Sequence, residues 1–333
     1  MRLPLPIRIL LLPLSWIYGA VIRIKTALYA SGVVSRKRLQ GAVVSIGNLT
    51  LGGTGKTPMV LWLAEYFLAE EKRVAILSRG YRGEHGTSDE VEILRRRLDR
   101  KVRFGVGPNR FAEGRKLEQA EPVDIFLLDD GFQHLELARD VDIVMLDGSR
   151  KLKDEWLLPA GILREPIRGC RRADLLVVTR KCEGLPIEAN DAHAHQLFYA
   201  QTRLLGFRQL GELETPRFLS EIGAGPYFAF CGIGNPQGFF DDLQRWHVTA
   251  VGTSEFRDHH HYSQSDVNDL HALATKAGAT ALVTTEKDEQ NLRGVSFGQI
   301  PVYVAVIDFV LSSESEFRPA LDRILAERRS RAR

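Results

Sequence analysis

The stretch Ser45–Pro58, SIGNLTLGGTGKTP, decides the fold. Ala42 to Ile46 is an apolar run that reads as a strand feeding a glycine-rich loop. From Thr57 to Ala69 the spacing puts Met59, Leu63, Tyr66 and Phe67 on one side of a helix, with Pro58 in the first turn, where a missing N–H costs nothing. Strand, glycine loop and helix together form the context of a phosphate-binding loop. Backbone N–H groups of such a turn point inward, and the helix N-terminus adds positive potential. Thr50, Leu51, Gly52, Gly53, Thr54, Gly55, Lys56 and Thr57 are the expected cradle. Lys56 would reach the β- and γ-phosphates, and the Thr57 hydroxyl would be a magnesium ligand. Gly53 and Gly55 let the backbone pass close to phosphate oxygens. The spacing departs from G-x-x-x-x-G-K-[ST], because Thr50 stands where a glycine is asked for. A variant loop preceded by lysine is also excluded, because Leu51 holds that place.

Further along, VDIFLLDD (Val123–Asp130) is a buried strand tipped by two carboxylates. Adjacent acids repel unless a cation offsets them, so Asp129, Asp130 or both are expected to hold magnesium beside the loop. SRGYRG (78–83) leaves another strand at its carboxyl end, where α/β sites form. Arg79, Tyr81, Arg110, Gln133 and His134 are candidate substrate contacts. The run Asp258-His259-His260-His261 invites a zinc reading, but consecutive side chains rarely converge on one ion. One histidine working with a carboxylate is the better expectation. TTEKD (284–288) comes near the pattern that reads guanine, with a glutamate intervening.

Apolar runs at 74–78, 125–128, 143–146 and 175–179 alternate with amphipathic segments, which predicts βαβ units on a mostly parallel sheet. Residues 206–226 read as a connector, followed by a second α/β series without a phosphate loop. The expected architecture is therefore α/β: a P-loop-type, mostly parallel sheet domain (36–205), a smaller C-terminal α/β domain (206–333) and an N-terminal membrane-associated helix (1–35). A chain of 333 residues suits two domains. A net charge of +3 gives no argument for a nucleic-acid partner, and three cysteines, an odd number, give none for a disulfide framework. Between Arg8 and Arg23 lie fourteen uncharged residues, ILLLPLSWIYGAVI. As a helix they span roughly 21 Å, short of a hydrocarbon core of about 30 Å. With Trp16, Tyr18, Tyr29 and flanking Arg23 and Lys25, the segment suits a helix lying in the membrane interface. A cleaved signal peptide is set aside because a nucleotide loop follows closely and nucleoside triphosphates are cytosolic.

GNLTLGGTGKTP, LSRGYRG, LLDDGFQH, LARDVDIVMLDG, LPAGILREP, the DHH run and TTEKD occur together and in this order. The set resembles the tetraacyldisaccharide 4′-kinases, the lipid A kinases, over nearly the whole chain. The resemblance implies two α/β/α domains with the site in the cleft between them. It also implies transfer of the γ-phosphate of ATP, with Mg²⁺, to the 4′-hydroxyl of tetraacyldisaccharide 1-phosphate, giving lipid IVA. The acceptor is an acylated glucosamine disaccharide phosphate, and the work is done at the cytosolic face of the inner membrane. Carried onto this chain, Lys56 and Thr57 are loop residues and Asp129 and Asp130 the strand-end acids. Asp89 matches the acid of the family's GDEP segment, which here reads SDEV, and His259 matches its DH histidine. Asp89 and His259 then handle the acceptor proton, beside Lys56 as the third catalytic residue. With Asp89 expected in the first domain and His259 in the second, chemistry would require closure. Rival expectations are a membrane-peripheral P-loop NTPase switch and a metal-insertion chaperone.

Overall fold

The computed structural model describes residues 4–80, 89–149, 152–180, 196–212, 215–223 and 225–332. In chain order the helices are α1 (Leu5–Leu10), α2 (Leu12–Ala30), α3 (Lys56–Ala69), α4 (Asp89–Leu98), α5 (Arg110–Ala120), α6 (Leu219–Ile222), α7 (Pro236–Arg245), α8 (Gln264–Lys276), α9 (Glu286–Asn291) and α10 (Glu314–Ala332). The strands are β1 (Ala42–Asn48), β2 (Val74–Ser78), β3 (Arg103–Val106), β4 (Ile125–Asp129), β5 (Val141–Asp147), β6 (Leu175–Thr179), β7 (Gln196–Gln209), β8 (Tyr227–Cys231), β9 (Ala250–Glu255), β10 (Ala281–Thr285) and β11 (Val302–Leu311).

The chain divides into two compact units. The first holds residues 1–87, 94–201 and 310–333, and the second holds 88–93 and 202–309. In the first unit the strand order is β3-β2-β4-β1-β5-β6-β7. Strand β1 lies between β4 and β5 and pairs parallel with both. Every residue of β1, β2, β4, β5 and β6 is buried. Burial of both alternating sides of these strands is what a parallel sheet covered on its two faces requires. Leu63, Ala64 and Phe67 of α3 are buried. Helix α10 lies on the same helix: Tyr66 donates to Asp322 at 2.7 Å, and Phe317 meets Trp62 edge-on.

The N-terminal segment forms two helices that turn at Leu11. Its inner side is tied down by polar contacts. Ser15 donates to the Leu157 carbonyl (2.9 Å) and accepts from the Ala160 N–H, while Arg8 pairs with Glu155 at 2.7 Å. Its outer side leaves Leu10, Leu14, Trp16, Ile17, Val21 and Ile24 exposed. Among the described residues no helix is long and apolar enough to cross a membrane.

In the second unit β10 pairs parallel with β8 and β11, and β8 pairs parallel with β9. The apolar cores on this sheet are built on Phe207, Phe239, Leu243 and Val283, and on Phe230, Leu270, Leu282 and Leu292. The connector expected to start at 206 starts later, because β7 runs unbroken through Gly206 to Gln209. A Cβ at Gly206 would sit 2.6 Å from the Arg217 carbonyl oxygen, so this glycine permits a close backbone approach within the strand. Asp89, expected in the first domain, groups with the second unit through residues 88–93.

Candidate active site

The loop after β1 is braced from outside. Thr50 bridges Leu163 antiparallel, the Leu51 N–H donates to the Ile162 carbonyl (2.8 Å), and the Arg164 N–H donates to the Leu49 carbonyl (2.7 Å). This extended pairing accounts for the unusual spacing, because a paired residue at position 50 can carry a side chain. Positive φ is instead taken by Gly52 (104°) and Gly55 (84°). Inside the loop, Asn48 donates to the Thr54 hydroxyl at 3.1 Å, and the Thr179 hydroxyl donates to the Thr54 carbonyl at 3.3 Å. The turn is therefore held in shape by its own hydrogen bonds. Lys56 and Thr57 open α3 directly after it.

Strand β4 ends beside this loop. Asp129 is buried, and the Ser78 hydroxyl donates to it at 3.3 Å. Asp130 turns away with φ +50°, a left-handed conformation that aspartate tolerates better than most residues. Arg164 donates to both Asp130 oxygens (2.8 and 2.7 Å), and Lys56 Nζ lies 3.5 Å away. Burial pushes the Asp130 carboxyl up, but Lys56 and Arg164 outweigh it and hold it below the ordinary value. Gln133 is partly buried. Its amide donates to the Asn48 carbonyl (2.9 Å) and to Glu165 (2.8 Å), which in turn holds Arg172. His134 is half-buried, and burial, helped by the Arg110 guanidinium, pushes its pKa down to about 4, so its ring is neutral near pH 7. Arg110 is buried at the start of α5, and Arg79 is exposed just after β2. Tyr81 lies outside the described residues.

In the second unit α4 begins at Asp89, β8 leads to Gly232, and the histidine run follows β9. His259 has φ +59° and donates its backbone N–H to the Gly232 carbonyl (3.1 Å). Its Nδ1 meets Asp89 Oδ2 at 2.9 Å. The same oxygen accepts from the Asn291 amide at 2.9 Å. Around the other ring nitrogen, Nε2, lie Lys287 Nζ at 3.3 Å, Glu90 at 3.7 Å and Asp258 at 3.9 Å. The hydrogen bond that His259 donates to Asp89 raises the His259 pKa above its ordinary value, against burial and Lys287. Burial alone would raise Asp89, but His259, Asn291 and Lys287 together hold it below its ordinary value. Asp89 and His259 therefore meet within one unit.

The rest of the histidine run points elsewhere. His260 meets Asp266 at 3.2 Å and stacks on Phe256, while His261 is exposed. Among the described residues no cluster of three histidine, cysteine or acidic groups is set to hold a metal. Asp288 of TTEKD, which a guanine reader would need, is fully buried. It accepts from the Gly232 N–H (2.7 Å), the Tyr262 hydroxyl (2.8 Å) and the Thr285 hydroxyl (2.6 Å). Neither rival expectation is favoured by these arrangements.

Sequence reasoning quoted the segments that carry Arg164, Lys287 and Glu90 without giving those residues roles, and it did not name Asn48 or Asn291. The arginine in LPAGILREP is the legible signal, since a guanidinium asks for an anionic partner.

A family model described as tetraacyldisaccharide-1-P 4′-kinase matches residues 7–326. Relatives named tetraacyldisaccharide 4′-kinase include one from Geobacter metallireducens, 37% identical over 95% of this chain and 98% of the relative. Another, from Geobacter sulfurreducens, is 37% identical over 93% of this chain and 91% of the relative. A crystal structure of the "apo" form of LpxK from Aquifex aeolicus in complex with ATP superposes with a TM-score of 0.75 at 29% identity, covering 96% of this chain and 99% of that one. A family match over nearly the full length, at this identity and with this fold, leaves one assignment: the chain belongs to the tetraacyldisaccharide-1-P 4′-kinase family.

Proposed function

We propose that the protein transfers the γ-phosphate of ATP to the 4′-hydroxyl of tetraacyldisaccharide 1-phosphate, forming lipid IVA. Family membership supports the substrate pair. The observation that carries the chemistry is the Asp89–His259 pair, two residues 170 positions apart brought to 2.9 Å in a protein that also holds a braced phosphate loop. Phosphoryl transfer relies on positioning and charge neutralisation, and these residues offer both. The loop amides and Lys56 hold the β- and γ-phosphates. Asp89 and His259 orient the acceptor hydroxyl and take its proton as its oxygen forms the new bond to phosphorus. The bond from phosphorus to the β,γ-bridging oxygen breaks, and ADP leaves with that electron pair.

The donor set beside the loop fits Mg²⁺. Asp130 is committed to Arg164 and Lys56, while the Thr57 hydroxyl and the Asp129 carboxylate are hard oxygen donors of the kind that ion takes. Thr57 and Asp129 would hold it. The ion would supply positive charge there to offset that of the phosphates. Arg79 or Arg110 would add positive charge near the nucleotide's phosphates or the acceptor's own phosphate.

The acceptor's acyl chains keep it in a bilayer, so the enzyme must work at the membrane surface. The outer face of α1 and α2, with Leu10, Leu14, Trp16, Ile17, Val21 and Ile24, supports an interfacial seat on the cytosolic side of the inner membrane. The deciding experiment is transfer of labelled γ-phosphate to a lipid A disaccharide precursor, with Lys56→Ala as control. Label in the lipid, lost in the variant, is expected. ATP turnover without labelled lipid would sink the proposal.

A further inference from the structure

We infer that Lys287 and Asn291, one turn apart on α9, are positioning residues that hold the Asp89–His259 pair in its working geometry. This rests on the proposed role of that pair in taking the acceptor proton.

Helix α9 is fixed at its start. The Thr285 hydroxyl accepts from the Asp288 N–H (3.2 Å), and the buried Asp288 carboxylate is locked by Gly232, Tyr262 and Thr285. Residues four apart share one helix face, so Lys287 and Asn291 reach the same neighbourhood from a rigid base. Asn291 is buried, and its amide donates to the Asp89 oxygen that faces the imidazole. Two donors on one oxygen restrain rotation of the carboxylate about its side chain. On the far side of the ring, Lys287 bridges Asp258 (2.8 Å) and Glu90 (3.1 Å) and stands 3.3 Å from His259 Nε2.

The charges facing the ring are Asp89 and Glu90 from α4, Asp258 from the histidine loop and Lys287 from α9. Three carboxylates alone would favour an imidazolium, which cannot accept another proton. The ammonium beside Nε2 opposes a second proton on the ring and favours the neutral form that donates from Nδ1 to Asp89. Asn291 and Lys287 thus act on opposite sides of the pair, one on the carboxylate and one on the ring.

The test is the pH dependence of kcat and KM for the full-length protein with ATP and the lipid acceptor in detergent micelles. Lys287→Met should lower kcat by about 10–10² with little change in either KM, and should move the acid limb of kcat to higher pH. Lys287→Arg should restore the limb and most of the rate. Asn291→Asp should cost more than Asn291→Ala above neutrality and recover toward acid pH, where the new carboxyl pair can share a proton. Should the methionine variant not fold, the Asn291→Asp profile decides: recovery in acid supports the inference, and an equal loss at every pH overturns it. An unmoved limb in a folded Lys287→Met overturns it as well. If Asp89→Asn and His259→Ala lose turnover while these variants behave as wild type, this inference fails alone. If Asp89→Asn and His259→Ala keep full turnover, the role of the pair itself fails.

Discussion

Arg164 holds Asp130 through both carboxylate oxygens, at 2.8 and 2.7 Å, and so sets where the acid beside Lys56 points. Asp130 sits in a left-handed backbone conformation that presents it to two cations. Removing Arg164 leaves Lys56 as the compensating charge on Asp130, and in its proposed role Lys56 must leave Asp130 to reach a phosphate. Arg164→Gln is therefore expected to raise the KM for ATP and lower kcat by about 10–10², with Arg164→Lys in between, since lysine keeps the charge but not the planar guanidinium. Steady-state kinetics at varied ATP checks this. Unchanged kinetics in the glutamine variant would show that the clamp is only structural.

The Asp89–His259 contact carries its own pH signature. His259 is raised, so its contribution to stability is present below its ordinary value of 6.5 and is lost as pH rises through the folded value. Asp89 is lowered, so its contribution is present above its ordinary value of 3.8 and is lost as pH falls through the folded value. The difference in Tm between wild type and His259→Ala should be largest in mildly acidic buffer and shrink at alkaline pH. In activity, Asp89→Asn removes the charge that stabilises the imidazolium. The acid limb of the remaining kcat should then move to lower pH, opposite to the shift expected for Lys287→Met, with a loss of about 10²–10⁴ in rate. Kinetics across pH 5–9 would distinguish the two.

How much of this was readable without coordinates follows from how local each signal is. Strand β1, the loop and α3 announce themselves within twenty-eight residues, because a buried strand, GGTGKT and a 3.6-residue apolar period are all short-range patterns. The same holds for β4 and its terminal acids. What was hidden depends on distant pairing. The loop's missing glycine makes sense only once Leu163 lies against Thr50, more than a hundred residues away in the chain. Strand β7 continues through a glycine that looked like the start of a connector. Helix α4 starts with residues that group with the second unit, and nothing within DEVEILRRRL marks that division. TTEKD is legible as a strand end but not as the root of α9, where Thr285 caps the helix and the Asp288 carboxylate anchors it to Gly232.

Gly19 tests how closely α2 must dock. It is buried, and a Cβ there would come within 2.7 Å of Leu157 Cδ1. On the same helix Tyr18 donates to the Arg164 carbonyl at 2.7 Å. Gly19→Val adds two methyls beyond that Cβ and should lower stability by about 1–3 kcal/mol through overpacking. Gly19→Ala should cost less, because the leucine tip can rotate and alanine favours a helix by about 1 kcal/mol over glycine. Thermal unfolding of the two variants checks the order. A valine variant as stable as wild type would mean that the helix is held by its polar contacts alone.

The outer face of the same helices should govern access to lipid and not nucleotide chemistry. Trp16 is 71% and Ile24 60% exposed, on a segment whose opposite side is fastened by Ser15 and Tyr18. Burying such side chains in the interface yields roughly 1.5–3 kcal/mol each, so replacing both with aspartate should cut vesicle partitioning by well over tenfold. The helix itself should remain docked, because its inner contacts are untouched. Trp16→Asp/Ile24→Asp is therefore expected to release the protein from anionic vesicles in flotation and to raise the apparent KM for bilayer-embedded acceptor. The KM for ATP should stay put. Activity on acceptor dispersed in detergent should be nearly restored, since there the substrate no longer depends on a bilayer for delivery. Equal flotation of variant and wild type would place the membrane contact elsewhere on the protein.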